Sequence, residues 1–327
     1  MAQILPKVLV TEPIPQSVIH FLRKHAHVHI GEKGEFQNEL SLANCISEYD
    51  ALLCMLSTPV TKHVLSNAEN LKIVANFAVG YNNIDVEAAN SFGIKVANTP
   101  DVLTDACGDF AMGLLMAVTR RFNEAEQYLR NGEFNGWEPL GFLGMELRGK
   151  NLGIVGMGRI GKAFAQRAKA FGMNIFYHNR RQLPGDEEQS LNAIYISDIE
   201  KLASTCDVLS LNCPLTKSTH HLINKAIFKL MPPHSILINI SRGPVVNEAH
   251  LAEALIKKEI AGAGIDVFEN EPKVHPKLLE APNCVLLPHI ASATFETRES
   301  IGMLASKAIV SVLNDEPENT ISNLVKQ

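Results

Sequence analysis

Three glycines at a fixed spacing stand between two strand-like segments of this chain. Gly156, Gly158 and Gly161 follow the apolar run Leu152 to Val155, and a helix-like segment then leads to the strand-like run Asn174 to His178. This order predicts the βαβ unit that binds dinucleotides, in which the glycines allow a sharp turn, close approach of a pyrophosphate and tight packing of helix on strand. The helix N-terminus would face the phosphates with free N–H groups. A glycine-rich turn without a ligand is the alternative.

The residues around this motif extend the predicted site. Arg159 and Ile160 lie between the second and third glycines and are assigned to the same site. At the end of the second strand, about 20 residues past the glycines, NAD-binding proteins carry an acid that holds the ribose 2′-hydroxyl. Here the chain has Asn179, Arg180 and Arg181 instead. Two guanidiniums and no carboxylate predict a preference for NADP(H), with NAD(H) still possible. A solvated loop is the alternative for the two arginines.

Composition limits the class of protein. The chain has 327 residues, of which 46% are hydrophobic, and this size exceeds what a single core usually holds, so two domains are expected. The net charge of −5, with no basic run longer than the pair Arg180–Arg181, argues against a surface for nucleic acid. The longest apolar run, Phe110 to Val118, is too short to span a membrane.

Two further features indicate the cellular compartment. The first residues, MAQILPKVLVTEPIP, lack the charged start and the long apolar segment of a signal peptide. The six cysteines show no CxxC spacing and are scattered through apolar surroundings. We therefore expect reduced thiols and a cytoplasmic location.

Strand-like and helix-like segments alternate along almost the whole chain, which is typical of α/β proteins with parallel sheets. A run rich in Ala, Leu and Met from Thr104 to Arg121 predicts a long buried helix, and the polar segment Asn131 to Gly149 predicts a loop. Besides the strands that flank the glycines, the predicted strands are Lys7 to Val10, Ala51 to Met55, Ile73 to Asn76, Lys95 to Ala97, Val208 to Leu211, Ser235 to Asn239, Gly264 to Val267 and Cys284 to Leu286.

Charged side chains come at the ends of three of these strands. Arg242 follows the predicted strand Ser235 to Asn239. Asp266, Glu269 and Glu271 come at the end of the strand that begins at Gly264, and His289 follows the strand Cys284 to Leu286. Because the carboxyl ends of parallel strands meet at one edge of a sheet, these residues are expected to converge on one crevice. A structural role is the alternative for each residue taken alone.

An imidazole, a carboxylate and a guanidinium beside a nicotinamide are the groups needed to reduce a 2-oxo acid. The guanidinium of Arg242 would bind the substrate carboxylate and polarise the keto oxygen. The imidazolium of His289 would supply the proton, and a neighbouring carboxylate would stabilise its protonated form. The spacing does not choose between Glu269 and Glu271 as that carboxylate.

Six stretches of the chain also match a known pattern: AVGYNNID (Ala78 to Asp85), NTPDVLTDA (Asn98 to Ala106), GMGRIGKAFAQRAKAFGM, INISRGPVVNE, GIDVFENEP and LPHIASATFETR. In this order, over nearly the whole chain, they resemble the D-isomer-specific 2-hydroxyacid dehydrogenases. The match is nearest the glyoxylate/hydroxypyruvate reductase branch, which includes 2-ketogluconate reductases. One departure is Ala291, where the family often has Gly. The resemblance implies reduction of a small 2-oxo acid, namely glyoxylate, hydroxypyruvate or 2-ketogluconate, to the D-2-hydroxy acid.

The resemblance assigns roles to individual residues. It implies that Arg242 binds the substrate, that Glu271 rather than Glu269 is the partner carboxylate, and that His289 is the acid/base. Further residues that it places at the cofactor are Thr104, Cys213, Pro214, Ile240, Ser241, Asp266 and His289. Residues that it places at the substrate are Leu56, Ser57, Val79, Gly80, Arg242 and Trp137.

The resemblance also implies an architecture of two doubly wound parallel-sheet domains flanking a cleft. A flavodoxin-like substrate domain would comprise residues 1–98 and 293–327, and a Rossmann-type cofactor domain of residues 99–292 would be inserted in it. Family members are usually homodimers. The helix that begins at Thr104 and the loop with the only tryptophan, Trp137, resemble the dimerisation arm.

Two other features bear on function. A dinucleotide-sensing binding protein with little turnover is the alternative function, because relatives of this fold include transcriptional corepressors. A metal site is not expected: His25, His27 and His29 alternate along a strand-like run, but no acid or cysteine accompanies them at ligand spacing. His220 and His221 are expected to be structural.

Overall fold

A computed structural model describes residues 5–325 of the chain, and these form two compact units. One unit comprises the chain up to Leu103 together with the segment from Ala293 onward, and the other comprises Thr104–Ser292. Each unit is built on a fully parallel sheet. The substrate-binding role of the first unit stays a prediction.

The described residues contain twelve strands and thirteen α-helices. The strands are β1 (Lys7–Val10), β2 (His27–Ile30), β3 (Ala51–Cys54), β4 (Ile73–Asn76), β5 (Lys95–Ala97), β6 (Asn151–Val155), β7 (Asn174–His178), β8 (Ala193–Tyr195), β9 (Val208–Leu211), β10 (Ile236–Asn239), β11 (Gly262–Ile265) and β12 (Cys284–Leu286). The helices are α1 (Gln16–Arg23), α2 (Glu39–Ala43), α3 (Lys62–Ser66), α4 (Val86–Ser91), α5 (Thr104–Thr119), α6 (Phe122–Arg130), α7 (Arg159–Ala170), α8 (Gly185–Leu191), α9 (Ile199–Thr205), α10 (Lys225–Leu230), α11 (Glu248–Ile256), α12 (Pro276–Leu279) and α13 (Phe295–Leu313). Short 3-10 segments lie at Glu35–Gln37, Ile46–Glu48, Gly243–Val245 and Glu318–Thr320.

The first unit has a five-stranded sheet in the order β2-β1-β3-β4-β5, which is the flavodoxin-like order. Every residue of β3 and β4 is buried, because helices cover both faces of a doubly wound sheet and its central strands become continuous apolar runs. Helix α13 returns to this unit and contacts β3, β4 and α1. The sequence prediction of this architecture is confirmed.

The second unit has a seven-stranded sheet in the order β12-β11-β10-β9-β6-β7-β8. The first strand of this unit, β6, lies in the middle of the sheet, and later strands are added outward on both sides of it, as in the dinucleotide-binding fold. The reversal lies between β6 and β9, and ligands of such sheets bind at the carboxyl ends of the strands beside this reversal. The glycine motif follows β6 and therefore lies at the reversal.

Several predicted elements differ from the structure. The helix predicted to reach Arg121 ends at Thr119, because Arg121 adopts a left-handed backbone (φ 54°) and precedes a separate helix, α6, that was not predicted. The strand predicted from Gly264 to Val267 is β11, which ends at Ile265, so Asp266 belongs to the loop after it.

Histidine positions also differ from the prediction. His25 lies in the turn before β2, so it does not share a strand with His27 and His29. His220 and His221 lie in a turn ahead of α10. No helix among residues 5–325 is long and apolar enough to cross a membrane.

Candidate active site

Arg242, Glu271 and His289 lie in the loops after β10, β11 and β12, at the carboxyl edge of the second sheet. Nδ1 of His289 lies 2.9 Å from Oε2 of Glu271. The two side chains are about one-third exposed, 31% for His289 and 38% for Glu271, so the pair can be reached from solvent. The structure thus joins an imidazole to a carboxylate that the sequence separates by a short helix, α12, and a strand, β12.

The carboxylate of Glu271 is fixed at both oxygens. Oε1 accepts a hydrogen bond from the backbone N–H of Phe268, 3.0 Å away, while Oε2 faces His289. Burial alone would raise the pKa of Glu271, but the hydrogen bond and charge of His289, the Phe268 N–H and the charge of Arg242 together hold that pKa below its ordinary value. Glu271 is therefore an ionised hydrogen-bond acceptor at neutral pH.

Glu269, the other candidate, points elsewhere. Its Oε1 accepts from the backbone N–H of Glu248 at 2.7 Å, and its Oε2 lies 3.0 Å from Nε2 of His221. Of the two acids that spacing could not separate, Glu271 is the one in contact with His289.

The guanidinium of Arg242 keeps most of its donors available. Within the described chain its side chain has one hydrogen bond, from Nη1 to the carbonyl of Ser241 at 2.7 Å. The loop is held by Asn239, whose Oδ1 accepts from the backbone of Ser241 and whose Nδ2 donates to the carbonyl of Arg242. Burial lowers the pKa of Arg242, and the charge of Glu271 opposes that shift. The arginine can thus give a two-point contact to a carboxylate.

Asp266 holds the backbone that follows His289. It is fully buried, and its two oxygens accept the N–H groups of Ile290 at 2.8 Å and Ala291 at 2.9 Å. Burial raises the pKa of Asp266 although these two amides lower it. His289 itself has a left-handed backbone (φ 56°), which for a non-glycine residue needs such support from its surroundings. Ala291, where the family often has Gly, still supplies the backbone N–H that donates to Asp266.

Two glycines of the motif allow close contact between backbone segments, and the third faces open space. An added Cβ at Gly156 would lie 2.6 Å from the backbone N of Cys213, and one at Gly161 would lie 2.4 Å from the carbonyl oxygen of Gly156. A Cβ at Gly158 would meet nothing within 4 Å, so the space beside this residue is open. Gly158 is also the N-cap residue of α7, and no side chain accepts a hydrogen bond from the first N–H groups of that helix. The loop therefore offers an open cradle for a phosphate group.

Asn179 has a contact that the sequence did not predict. Its Oδ1 accepts the backbone N–H of Met157 at 2.7 Å, which ties the end of β7 to the glycine loop. Its Nδ2 has no hydrogen-bond partner within the described residues and remains a donor. Arg180 and Arg181 are exposed, and neither forms an ion pair within residues 5–325. Three sets of donors are thus free at the end of β7.

The remaining cofactor candidates in the second unit follow strands of its sheet, except Thr104. Cys213 and Pro214 follow β9, Ile240 and Ser241 follow β10, and Thr104 begins α5. Cys213 is 8% exposed, and burial raises the pKa of its thiol to about 11. That thiol is therefore protonated at neutral pH and serves as a small apolar side chain.

The substrate candidates of the first unit lie after β3 and β4. Leu56 and Ser57 follow β3, and Val79 and Gly80 follow β4. Two asparagines fix this second loop through its carbonyls: Nδ2 of Asn98 donates to Val79 O, and Nδ2 of Asn76 donates to Gly80 O, each at 2.7 Å. The N–H groups of Val79 and Gly80 have no acceptor among the described residues and can donate to an anion. The sequence analysis missed both asparagines.

Trp137 lies in the loop after α6 and is 84% exposed. Helix α6 itself has no buried residue. Helix α6 and the loop after it carry further exposed apolar side chains, namely Phe122, Leu129, Phe134, Leu140 and Leu143. The segment therefore presents an uncovered apolar surface, which is typical of an interface.

His29, one of the histidines set aside as metal ligands, and His221, which was expected to be structural, both make side-chain contacts. His29 hydrogen-bonds the hydroxyl of Tyr49, and His221 contacts Glu269 and Asn247. Among residues 5–325 no group of three or more His, Cys, Asp or Glu could hold a metal ion.

Comparisons with known proteins identify the family of the chain. Residues 112–291 match the family described as D-isomer specific 2-hydroxyacid dehydrogenase, NAD binding domain. A glyoxylate reductase from Thermococcus litoralis is 46% identical over 322 residues, which cover 97% of each chain.

Solved structures give the same result. A protein from Thermus thermophilus is 37% identical with a TM-score of 0.91, over 98% of this chain and 100% of its own. An NADPH-dependent glyoxylate/hydroxypyruvate reductase from Sinorhizobium meliloti, solved with NADP and malonate, is 34% identical with a TM-score of 0.85, over 98% of this chain and 99% of its own. The chain belongs to the D-isomer specific 2-hydroxyacid dehydrogenase family and is an enzyme of that family.

Proposed function

We propose that the protein reduces glyoxylate, hydroxypyruvate or 2-ketogluconate to the D-2-hydroxy acid, with His289 as the proton donor. The observation that carries this proposal is the contact of His289 Nδ1 with Glu271 Oε2 on the sheet edge that also presents Arg242. Because Nδ1 is engaged by the carboxylate, the ring presents Nε2 as the donor toward a keto oxygen. When bound, a reduced nicotinamide dinucleotide supplies the hydride.

The chain's own groups prepare the substrate in this scheme. Arg242 binds the 2-oxo acid carboxylate with two N–H groups and polarises the carbonyl. In the first unit, Leu56, Ser57 and the N–H groups of Val79 and Gly80 are proposed as substrate-binding groups. As negative charge develops on the keto oxygen, the proton passes from Nε2 of His289 to that oxygen, and Glu271 stabilises the imidazolium before the transfer.

For the cofactor, we propose NADP(H) with a preference over NAD(H). The open space beside Gly158 fits a pyrophosphate. The free donors of Asn179, Arg180 and Arg181 fit a 2′-phosphate better than a neutral ribose. Arg159, Ile160, Thr104, Cys213, Pro214, Ile240, Ser241 and Asp266 are proposed to complete the site. The related enzyme from Sinorhizobium meliloti is described as NADPH-dependent, which supports this choice.

The test is a panel of 2-oxo acids assayed by the absorbance of NADPH and, separately, of NADH. We expect oxidation of NADPH with at least one of the three named acids, and a chiral assay of the product should show the D-isomer. An L-product, or binding of NADPH without turnover of any 2-oxo acid, would contradict the proposal.

We further propose a homodimer formed through α6 and the loop with Trp137. The exposed apolar side chains of this segment support it. Because Trp137 is proposed to reach the partner's substrate site, Trp137→Ala should change the preference among keto acids and leave the affinity for NADPH unchanged. Sedimentation equilibrium measures the state of assembly, and a fully active monomer would contradict the dimer.

A cytoplasmic location is part of the proposal. All six cysteines are free thiols, which supports a reducing compartment. Fractionation of cells that express the protein tests it.

A further inference from the structure

Two acids outside the proposed chemistry are joined to each other through their backbones. Glu248 is the first residue of α11 and is 5% exposed, and Glu269 follows β11. The N–H of Glu248 donates to Oε1 of Glu269 at 2.7 Å, and the N–H of Glu269 donates to Oε1 of Glu248 at 2.5 Å. The reciprocal bonds have charged acceptors, which makes them stronger than bonds between neutral groups. They connect the start of α11 to the segment that leads to Glu271.

His221 adds a third member with a defined proton position. Oδ1 of Asn247 accepts the N–H of His250, so its Nδ2 is the atom that faces Nδ1 of His221, 3.3 Å away. An amide nitrogen only donates, and Nδ1 of His221 is therefore an acceptor. Nε2 then carries the proton and donates to Oε2 of Glu269 at 3.0 Å. The backbone N–H of His221 also donates to the carbonyl of Pro244, at 2.7 Å.

These contacts reach the proposed catalytic residues through the backbone. Gly243, next to Arg242, is so close to the other loop that an added Cβ would lie 1.9 Å from the carbonyl carbon of Phe268 and 2.4 Å from the N of Glu269. Phe268 in turn donates its N–H to Glu271. A displacement of Glu269 would therefore shift both the Arg242 loop and the acceptor that faces His289.

A contribution to the stability of the fold does not explain why Glu248 and Glu269 lie together. Burial, and the nearby charge of Glu269, raise the pKa of Glu248, although the N–H groups of Glu269 and His275 lower it. Bringing two carboxylates together in a buried place is unfavourable, and apolar residues of the same volume would fill it at lower cost.

We propose that Glu248, Glu269 and His221 are positioning residues, which hold the segment from Phe268 to Glu271 against the Arg242 loop in the geometry that the reduction requires. This inference rests on the proposed function, because it concerns the placement of Glu271 and Arg242. A displacement of about 1 Å in such groups can cost about a hundredfold in rate.

The central experiment compares His221→Gln with His221→Leu. Glutamine can donate its amide N–H to Glu269 and accept from Asn247, whereas leucine fills similar space and does neither. We expect His221→Leu to lower kcat by about tenfold or more and to raise KM for the 2-oxo acid, with Kd for NADPH unchanged. His221→Gln should restore most of kcat.

Glu269→Gln gives a second route to the same result. Its amide nitrogen would face the N–H of His221, so two donors would oppose each other, and we expect the same fall in kcat. Glu253→Gln is the matched control, because Glu253 lies on the same helix but is paired with Lys225 and Lys257 at the surface. It should leave kcat and KM unchanged. Thermal unfolding of each variant shows which ones are folded at the assay temperature.

Glu271→Gln, measured in the same assay, separates failure of this inference from failure of the proposed function. If Glu271→Gln lowers kcat while folded His221→Leu and Glu269→Gln retain wild-type kcat and KM, the positioning role is wrong and the proposed function stands. If Glu271→Gln itself has wild-type kcat, the proposed function fails and the positioning role fails with it.

Discussion

His289 turns Nδ1, and not Nε2, toward Glu271, with 2.9 Å between Nδ1 and Oε2. In the proposed reduction this choice of nitrogen sets the direction of proton transfer, because the nitrogen that does not face the carboxylate is the one that can reach a substrate oxygen. His289 and Glu271 therefore have different expected roles, and each can be tested by its own substitution.

The first prediction concerns the proton donor. His289→Ala removes the proposed proton donor to the keto oxygen, so turnover should fall by about 10²-fold or more. NADPH should still bind, as measured by fluorescence titration, because the proposed contacts of the glycine loop and of Arg180 and Arg181 with the cofactor do not involve His289. Near-native turnover with intact cofactor binding would remove His289 from the mechanism.

The second prediction concerns pH and stability. The pKa of Glu271 is lowered in the folded chain, against the effect of its burial. A carboxyl group of this kind stabilises the fold above its unfolded pKa, about 4.3 for glutamate, and the contribution is lost as the pH falls through the folded-state pKa. We expect the wild-type protein to have a higher Tm than Glu271→Gln at neutral pH, and the difference to disappear in acid.

The effect of Glu271 on Tm should be small, because its side chain is 38% exposed and solvent screens the interaction. Circular dichroism melts at a series of pH values measure it. A difference in Tm that does not change with pH would show that the charge of Glu271 is not its cause.

The third prediction concerns the substrate anchor. Lysine at position 242 keeps the positive charge but cannot donate two parallel hydrogen bonds to one carboxylate. Arg242→Lys should therefore raise KM for the 2-oxo acid and also lower kcat, because the same group polarises the carbonyl. Steady-state kinetics at saturating NADPH give both constants. Unchanged values would exclude Arg242 from the substrate site.

The fourth prediction concerns the choice of cofactor. One charge-assisted hydrogen bond is worth roughly 1.5 to 3 kcal/mol, so the proposed contacts should favour NADPH over NADH by about tenfold or more. Replacing Arg180 and Arg181 by alanine should weaken NADPH much more than NADH.

Asn179→Asp sharpens this test of the cofactor. Aspartate can still accept the N–H of Met157 that Asn179 accepts, so the glycine loop keeps its tie, while the new carboxylate repels a 2′-phosphate. The ratio of kcat/KM for NADPH to that for NADH, taken at one ionic strength, should invert. A wild-type ratio that favours NADH would refute the predicted preference.

The fifth prediction contrasts two glycines of one motif. Gly158→Ala adds a Cβ into open space at an ordinary φ of −82°, so Tm should change little, while affinity for NADPH should fall by about tenfold or more, equivalent to about 1.4 kcal/mol. Gly161→Ala places a Cβ 2.4 Å from the carbonyl oxygen of Gly156, and we expect it to destabilise the fold by about 1 to 3 kcal/mol. Calorimetry with and without NADPH separates the two effects. Equal losses of Tm in both variants would contradict the contrast.

The elements that the sequence predicted well are those with a strong local signal. Strands β1, β4 and β9 are mostly apolar and mostly buried, and they were predicted at their observed bounds. Strand β8 was not predicted because it is short, lies at the sheet edge and has only one buried residue. Helix α6 was not predicted because the break before it depends on the left-handed backbone of Arg121, a conformation without a sequence signal in a non-glycine residue.

The candidate site shows the same division. Strand order alone predicts that Arg242 and His289 share one sheet edge. The choice between Glu269 and Glu271 depends on a turn in which Phe268 binds Glu271 and leaves Glu269 to His221. Two acids separated by one residue cannot be distinguished by counting, and here the family resemblance supplied what the spacing lacked.

The return of α13 to the first unit has a consequence for synthesis of the protein. The helix packs so closely on this unit that a Cβ at Gly302 would lie 2.8 Å from the side chain of Val18. A growing chain therefore emerges with β3, β4 and α1 uncovered on the face that α13 later occupies. The second unit is continuous, from Thr104 to Ser292, and can fold as soon as it has been made, whereas the first unit must wait until the chain has been translated through Leu313.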